Sequence, residues 1–264
     1  MSDKNILEMW QAEAEFGFMH VAPYCSSLTA KANVLEVGSG SGILLAKLQK
    51  KFPNKFFQGL EPFSSGFSSL HELEKNYNNL GLKVHRVNYE NFKTSEKFDL
   101  IFCINVFEHL NDWRDFLSWS AKKLKKNGIL LVLCPNYDFP YESHFHLPIV
   151  FNKFITSFLF KAKIEKFEQF HDVKGLWRSL NFVRKSEVKN FLKLNCSELK
   201  FELSDKTEIL RQMIDRLFDD VEFRNRHIMM GNLSVFLKKT KLLEVFFLFP
   251  RFLPYMKLEF QKLD

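Results

Sequence analysis

Cysteine is scarce: Cys25, Cys103, Cys134 and Cys196 are the only four in 264 residues. None stands in a CxxC pair, so there is no sign of a zinc site, and four scattered thiols are no disulfide framework. Cys103 and Cys134 lie in apolar runs, as small buried hydrophobes do. This usage predicts a reducing, cytoplasmic setting. Met1-Ser2-Asp3-Lys4-Asn5 lacks the apolar core of a secretion signal. No stretch reaches the ~18 apolar residues of a membrane span. Neither an internal repeat nor a low-complexity tract is present, which argues against a solenoid or linker-rich chain.

What the chain does carry is apolar mass. Hydrophobic residues make up 46% and phenylalanine alone contributes 31. That suffices for one large α/β domain with an insertion, or one and a half domains, and it excludes a disordered chain. Many of the phenylalanines must be core, and some are expected to line an apolar site. The formal charge of +7 is spread along pieces such as Lys122-Lys123-Leu124-Lys125-Lys126. These read as solvated helix ends, where cations suit the dipole, and nucleic acid is disfavoured as a partner.

The chain is organised around Val34-Leu35-Glu36-Val37-Gly38-Ser39-Gly40-Ser41-Gly42. An apolar run holding an acid meets glycines at alternate positions, and a helical pattern follows to about Phe52. This is a buried strand, a tight turn and a helix start. Residues 5 to 30 before it read as one or two helices that pack beside the first strand or cover a cleft. Lys55 to Leu60 is a second strand ending at Glu61. A helix from about Ser64 to Leu80 follows, then a third strand, Leu82 to Val87, ending at Asn88. Phe98 to Ile104 is a fourth strand, Asp112 to Lys125 a helix, and Ile129 to Cys134 a fifth strand. Continuous apolar strands alternating with helices mean a parallel sheet covered on both faces.

After Pro135 the rhythm breaks. Residues 136–183 form an insertion rich in aromatics and histidine, with a helix near Ile149 to Phe160. Ser186 to Leu194 and Asp205 to Phe218 read as helices, Glu198 to Leu203 as an edge strand, and Leu233 to Lys238 as a last strand.

Glu36, Glu61 and Asn88 stand at consecutive strand ends, on one edge of such a sheet. A carboxylate at Glu61 can take both hydroxyls of a ribose, and an amide at Asn88 can meet the edge of a base. Glu36 can engage a cationic group. With Gly38, Ser39, Gly40, Gly42, Pro62, Tyr89 and Asn105, these are the candidate cofactor contacts.

In these residues, and in Phe98-Asp99-Leu100-Ile101 leading to Asn105-Val106-Phe107-Glu108-His109-Leu110 and then Asn127-Gly128-Ile129, the chain resembles the class I S-adenosylmethionine-dependent methyltransferases. It is most similar to those that methylate small molecules and quinone or lipid precursors. The resemblance covers roughly residues 32–135. It implies a doubly wound, mostly parallel, seven-stranded Rossmann-like sheet with a reversed last strand, the insertion after strand five acting as a lid. It implies S-adenosyl-L-methionine as donor and S-adenosyl-L-homocysteine as product. Gly38 and Gly40 would approach the methionine part, Glu61 the ribose, and the segment at Asn88 and Tyr89 the adenine. The group often carries Asp where Asn88 stands. The competing dinucleotide fingerprint places its third glycine one residue later than Gly42, and an acid at Glu36 would repel a pyrophosphate. A nicotinamide oxidoreductase is therefore the alternative, together with a non-catalytic cofactor-binding protein of the same fold.

Methyl transfer from a sulfonium needs alignment, exclusion of water and, for a hydroxyl acceptor, a proton acceptor. Tyr141-Glu142-Ser143-His144-Phe145-His146 supplies candidates; if extended, Glu142, His144 and His146 share one face. His144 ranks first as base, then His146, with His109 of the acid–His pair as a third. Tyr137, Tyr141, Glu142 and Trp177 are the candidate acceptor contacts. The resembling quinone-type O-methyltransferases can hold a divalent metal on an acid–His pair such as Glu108-His109 with another acid nearby; Asn105 stands where that acid would be, so no metal is expected. The acceptor is read as small or lipid-linked, methylated at oxygen. The organisation expected is a helical cap at 1–31, a methyltransferase domain at 32–240, and an apolar C-terminal segment at 241–264. That last segment reads either as a helix-turn-helix docked on the core or a partner, or as an interfacial anchor giving peripheral membrane contact.

Overall fold

The computed structural model describes residues 3–62, 82–209, 211–212, 248–249 and 253–264. The long N-terminal helix α1 spans Asp3–Ser27. The strands β1 (Asn33–Val37), β2 (Phe56–Leu60), β3 (Lys83–His85), β4 (Phe98–Ile104) and β5 (Leu124–Pro135) follow. Helix α2 (Ile43–Lys51) connects β1 to β2, and α3 (Trp113–Lys123) precedes β5. With β8 (Phe201–Asp205) and β9 (Tyr255–Lys262), they build a seven-stranded sheet of order β3-β2-β1-β4-β5-β9-β8. β1 to β5 pair in parallel, and β9 runs antiparallel to both β5 and β8. This is the doubly wound sheet with a reversed last strand that the motifs implied.

The apolar strands account for the core. Leu35, Ile101, Cys103, Leu130 and Val132 pack into one buried layer, and Val34, Leu100, Phe102, Leu131 and Leu133 into the other. A central strand with helices on both faces must be apolar on both. α1 is one helix and belongs to the second layer. A Cβ on Gly17 would lie 2.7 Å from Leu44 Cδ2 and 2.9 Å from Ile104 Cδ1, so α1 seats closely on α2 and β4, and a larger residue there would have to displace those side-chain ends.

Boundaries moved where local chemistry competed. Asp112 caps α3 by accepting the Arg114 N–H at 2.8 Å, but the helix ends at Lys123. Leu124 already pairs with Phe98, and the ladder resumes at Leu100–Ile129, so residues 125–128 bulge out with Asn127 at φ 60°. The third strand stops at His85 rather than Val87. A short helix α7 (Cys196–Leu199) takes the start of the expected edge strand. Asp205 closes β8 instead of opening a helix. The helix expected at Ser64 to Leu80, the strand at Leu233 to Lys238, and the remainder of the helix expected to Phe218 beyond Gln212 lie outside the described residues.

The largest correction is at the C-terminus. Tyr255–Lys262, expected within a docked helix-turn-helix or an interfacial anchor, is a strand hydrogen-bonded on both sides. Met256, Leu258 and Phe260 are buried, alternating with Lys257, Glu259 and Gln261. The period of two was present in the sequence, hidden by the strongly apolar stretch before it.

The insertion makes a small unit. A β6–β7 hairpin (Tyr141–Glu142 and Leu147–Pro148) leads to α4 (Lys153–His171) and α5 (Leu176–Ser179). Asn152 caps α4 by accepting the Ile155 N–H at 2.9 Å, which starts the helix later than its apolar run suggests. Phe145, Leu147, Ile164, Leu176, Trp177 and Leu180 form its own core. Helix α6 (Lys185–Leu194) returns the chain to the sheet.

Replacing Leu258 by Ala is expected to cost about 2–5 kcal/mol in denaturant unfolding, while Gln261→Ala on the exposed side of β9 stays within about 0.5 kcal/mol. Equal, small effects at both positions would contradict a central β9.

Candidate active site

The site sits at the carboxyl ends of β1, β2 and β4, where an open α/β sheet leaves a crevice. The loop after β1 is pinned across β2: the N–H groups of Gly38 and Ser39 donate to the Leu60 carbonyl at 2.8 and 3.0 Å. Gly38, Gly40 and Gly42 have φ of 76°, 52° and 79°, which only glycine adopts without strain. A Cβ on Gly38 would stand 2.2 Å from Val106 Cγ2, so the loop also needs glycine to pass the segment after β4. Ser39 is buried, and Gly59 of β2 leaves it room.

Glu36 is 4% exposed and its Oε2 has no hydrogen-bond partner among the described residues. Burial, reinforced by the negative charge of Glu61, pushes its carboxyl well above the usual range. Glu61 lies just past β2, anchored by its N–H to the His85 carbonyl, and its Oε2 accepts the Gly40 N–H at 2.9 Å. Pro62 follows it, exposed. The strand ends thus hold two carboxylates close enough for the charge of one to act on the other.

The outer part of the expected site is arranged differently. Asn88 Oδ1 accepts from Asn91 N and Nδ2 at 3.2 and 2.7 Å, capping a one-turn 3-10 helix, Tyr89–Asn91. Its oxygen is spent locally, and its amide N–H groups are what it has to offer a base. The Tyr89 side chain is core: it packs on Phe116 and Trp119, and its hydroxyl donates to the Asp112 carbonyl at 3.1 Å. The side chain is therefore committed to the core. Asn105, at φ 53°, ends β4 and accepts the Tyr255 hydroxyl at 2.6 Å.

Beyond β4 a second polar group gathers. Phe107–His109 forms a single 3-10 turn. Asn181 staples it, donating Nδ2 to the carbonyls of Phe107 and Leu110 at 2.8 and 3.0 Å and its own N–H to that of Glu108 at 2.7 Å. Glu108 is fully buried, and neither carboxylate oxygen has a hydrogen-bond partner among the described residues. Burial drives its pKa up to about 7, against the opposing pull of His144. His109 Nδ1 lies 2.8 Å from Ser179 Oγ of α5, and burial with the charges of His144 and Lys153 lowers its pKa to about 3.

The hairpin supplies the rest. Residues 143–146 turn instead of extending, so the shared face of Glu142, His144 and His146 does not form. Glu142, fully buried, accepts from the Tyr137 hydroxyl at 3.2 Å, from the N–H groups of His144 and Phe145 at 3.2 and 2.7 Å, and from His144 Nδ1 at 2.6 Å. Those bonds outweigh its burial and hold its pKa below the usual carboxylate value. Burial disfavours a charge on His144, but the Glu142 bond and the charges of Glu142 and Glu108 leave its pKa raised. His144 Nε2 stands 3.9 Å from Glu108 Oε1, and its ring 5.4 Å from that of His109. Glu108, His109 and His144 each place one ligand atom within 4.8 Å of the others.

The sequence named His109, His144 and Glu142, and Glu108 as the acid of the acid–His pair, but passed over Asn181 and Ser179, which carried no signal. His146, at φ 54°, meets the Tyr141 hydroxyl at 3.3 Å and stands apart from the group. Burial is the main reason its pKa is lowered. Trp177 is buried in the insertion core against Phe145, so its ring is committed to that core. Tyr137 is buried under Phe182, stacked at 4.5 Å, with its hydroxyl on Glu142.

A reversed-strand doubly wound sheet, with a glycine loop and acids at the ends of β1 and β2, defines an α/β protein built to hold a nucleoside cofactor with a cationic end. Residues 13–184, more than half of the chain, match the model of the Methyltransferase domain family, and the chain belongs to that family. It is a class I S-adenosylmethionine-dependent methyltransferase by fold, with S-adenosyl-L-methionine as its cofactor. An uncharacterized protein of Mycobacterium tuberculosis is 31% identical over 218 residues, covering 81% of this chain and 73% of that protein. The ubiquinone biosynthesis O-methyltransferase of Rickettsia akari is 21% identical over 136 residues, covering 47% of this chain and 53% of its own length. The crystal structure of the plantazolicin methyltransferase BpumL with S-adenosylhomocysteine shares the fold at TM-score 0.53 and 14% identity, covering 97% of this chain and 84% of that one. These comparisons favour the methyltransferase over the oxidoreductase alternative.

The residues present fit the cofactor. The orphaned, buried Glu36 carboxylate beside Glu61 wants a cationic partner, and a sulfonium with an ammonium group supplies one. Glu36→Gln is expected to weaken S-adenosylmethionine binding about 10- to 100-fold in calorimetry, and unchanged affinity would contradict this assignment. A second expectation concerns Glu108. A carboxyl whose folded pKa is raised costs stability as pH rises from its ordinary value through about 7. In chelated buffer at pH 8, Glu108→Gln should therefore raise the denaturation midpoint, and a lowered midpoint would contradict the unpartnered charge.

Proposed function

We propose that the protein transfers the methyl group of S-adenosylmethionine to a hydroxyl of a small, fairly apolar or lipid-linked acceptor. Gly38, Ser39, Gly40 and Gly42 hold the amino-acid part of the donor, with Glu36 at its charged end. Glu61 and Pro62 border the ribose, and Asn88 the base. When bound, the donor supplies an already activated methyl group. What this chain adds is alignment, dryness and a place for the hydroxyl proton.

One observation carries the acceptor side: His144 is clamped through Nδ1 by a fully buried Glu142, with its Nε2 turned toward Glu108. A carboxylate that fixes one ring nitrogen sets the tautomer that leaves the other able to accept a proton. His144 is therefore the base, Glu142 its orienting partner, and Tyr137 holds Glu142. Tyr141 and Phe182 give the neighbourhood its apolar character. His146 and His109 drop behind His144, the first for its position and the second because burial and neighbouring positive charges already oppose its protonation.

A lipid-linked acceptor is supported by the start of α4, where Phe151, Phe154 and Phe158 are 85%, 80% and 78% exposed. Lys153, between them, reaches back to the carbonyls of Arg178 and Leu180 beside the site. The same exposed rings support a peripheral membrane contact through the insertion rather than the C-terminal segment. Among the described residues no helix is long and apolar enough to cross a membrane.

The purified chain should form S-adenosylhomocysteine with members of a panel of phenols, sugar hydroxyls and lipid extracts. His144→Ala should retain cofactor affinity and lose about 100-fold or more in turnover. Full turnover in that variant removes His144 as base, and no product with any acceptor favours a non-catalytic binder of the same fold.

A further inference from the structure

We propose that Glu108, His109 and His144 form a binding site for one divalent transition-metal cation. The inference rests on the methyl-transfer reading and changes one role in it. With a cation bound, His144 would serve as a ligand and the cation would lower the pKa of the acceptor hydroxyl, so that its proton leaves to solvent while the oxygen bonds the methyl carbon and the carbon–sulfur bond breaks with its electron pair kept by sulfur.

Two imidazoles and one carboxylate are a donor set that suits zinc, manganese or iron(II). They come from two separate segments, the 3-10 turn after β4 and the β6–β7 hairpin, which the sheet and the insertion bring together. Glu108 Oε1 lies 4.0 Å from His109 Nε2 and 3.9 Å from His144 Nε2. Those distances are too long for hydrogen bonds. Donor atoms around a tetrahedral zinc stand about 3.3 Å apart, so small side-chain movements would close the set.

Three further features favour a cation over an ion pair among the three residues. Both Glu108 oxygens are buried without a hydrogen-bond partner among the described residues, a costly state for a carboxylate that nothing binds. Each histidine is held through Nδ1, His144 by Glu142 at 2.6 Å and His109 by Ser179 at 2.8 Å, which is how metal-binding imidazoles are oriented. Asn181 locks the turn that carries Glu108 and His109. The acid–His pair had been set aside in the sequence because Asn105 offers no second acid. Asn105 is indeed engaged elsewhere, by Tyr255, and the third donor is His144, from the insertion.

The test uses the full chain, treated with chelator and dialysed, titrated calorimetrically with Zn2+ and then with Mn2+. Co2+ serves as a spectroscopic probe through its visible absorption. About one equivalent should bind, and Glu108→Gln and His144→Asn should each weaken binding by at least about tenfold, with circular dichroism confirming that both variants fold. His171→Ala, which removes an exposed histidine on α4, should bind as wild type does. Absence of binding, binding unaffected by both site variants, or binding lost with His171 would overturn the site. Chelated enzyme that turns over fully without binding metal would also overturn it, and would leave His144 as base. Metal binding that depends on Glu108 and His144, in a protein that makes no S-adenosylhomocysteine with any acceptor, would support the site and reject the methyl-transfer reading.

Discussion

A buried carboxylate, one oxygen of which has no hydrogen-bond partner among the described residues, is the constraint around which this molecule is arranged. Glu36 sits on a central strand, between Gly59 of β2 and Phe102 of β4, where the sheet is otherwise apolar. Solvent does not reach it, Glu61 repels it, and among the described residues its outer oxygen bonds nothing. Such a group is tolerable protonated or beside a cation. The glycine loop gives that cation access: three left-handed glycines turn the chain back over β2 and leave backbone exposed where side chains would fill the crevice. The rest of the sheet, with α1 seated on α2 and β4 at Gly17, keeps these strand ends in register.

The second acid group follows the same logic on the acceptor side, but the fold reaches it by another route. Glu108 is carried by the sheet and His144 by the insertion. The bonds between them are indirect: Asn181 to the Glu108 turn, Ser179 to His109, Tyr137 to Glu142. The insertion is therefore part of the site's scaffold. Its core of Phe145, Leu147, Ile164 and Trp177 holds the hairpin in place, which explains why Trp177 is buried where an acceptor contact was expected.

How much of this the residues disclosed depended on range. The donor site was legible because its parts are local: an acid, a turn and a helix start within one strand–loop–helix unit, with further acceptors at the next strand ends. At Asn88 the spacing did not disclose that its oxygen also caps a turn, nor at Tyr89 that its hydroxyl finds Asp112, far away in sequence. The extended reading of residues 142–146 failed for a similar reason, since backbone N–H bonds to Glu142 favour a turn. Glu108, Ser179 and Asn181 meet only in three dimensions, and no spacing rule could pair them. β9 was overlooked because a long apolar, proline-interrupted stretch precedes it, although the alternation of Met256, Leu258 and Phe260 was on view.

Glu36 is held above its ordinary pKa until a cationic cofactor arrives. Calorimetric titration of S-adenosylmethionine between pH 6 and 7, repeated in buffers of different ionisation enthalpy, tests it directly. Binding should release protons, and Glu36→Gln should abolish the release. Proton-neutral binding in the wild-type chain, or the same release in the variant, would contradict it.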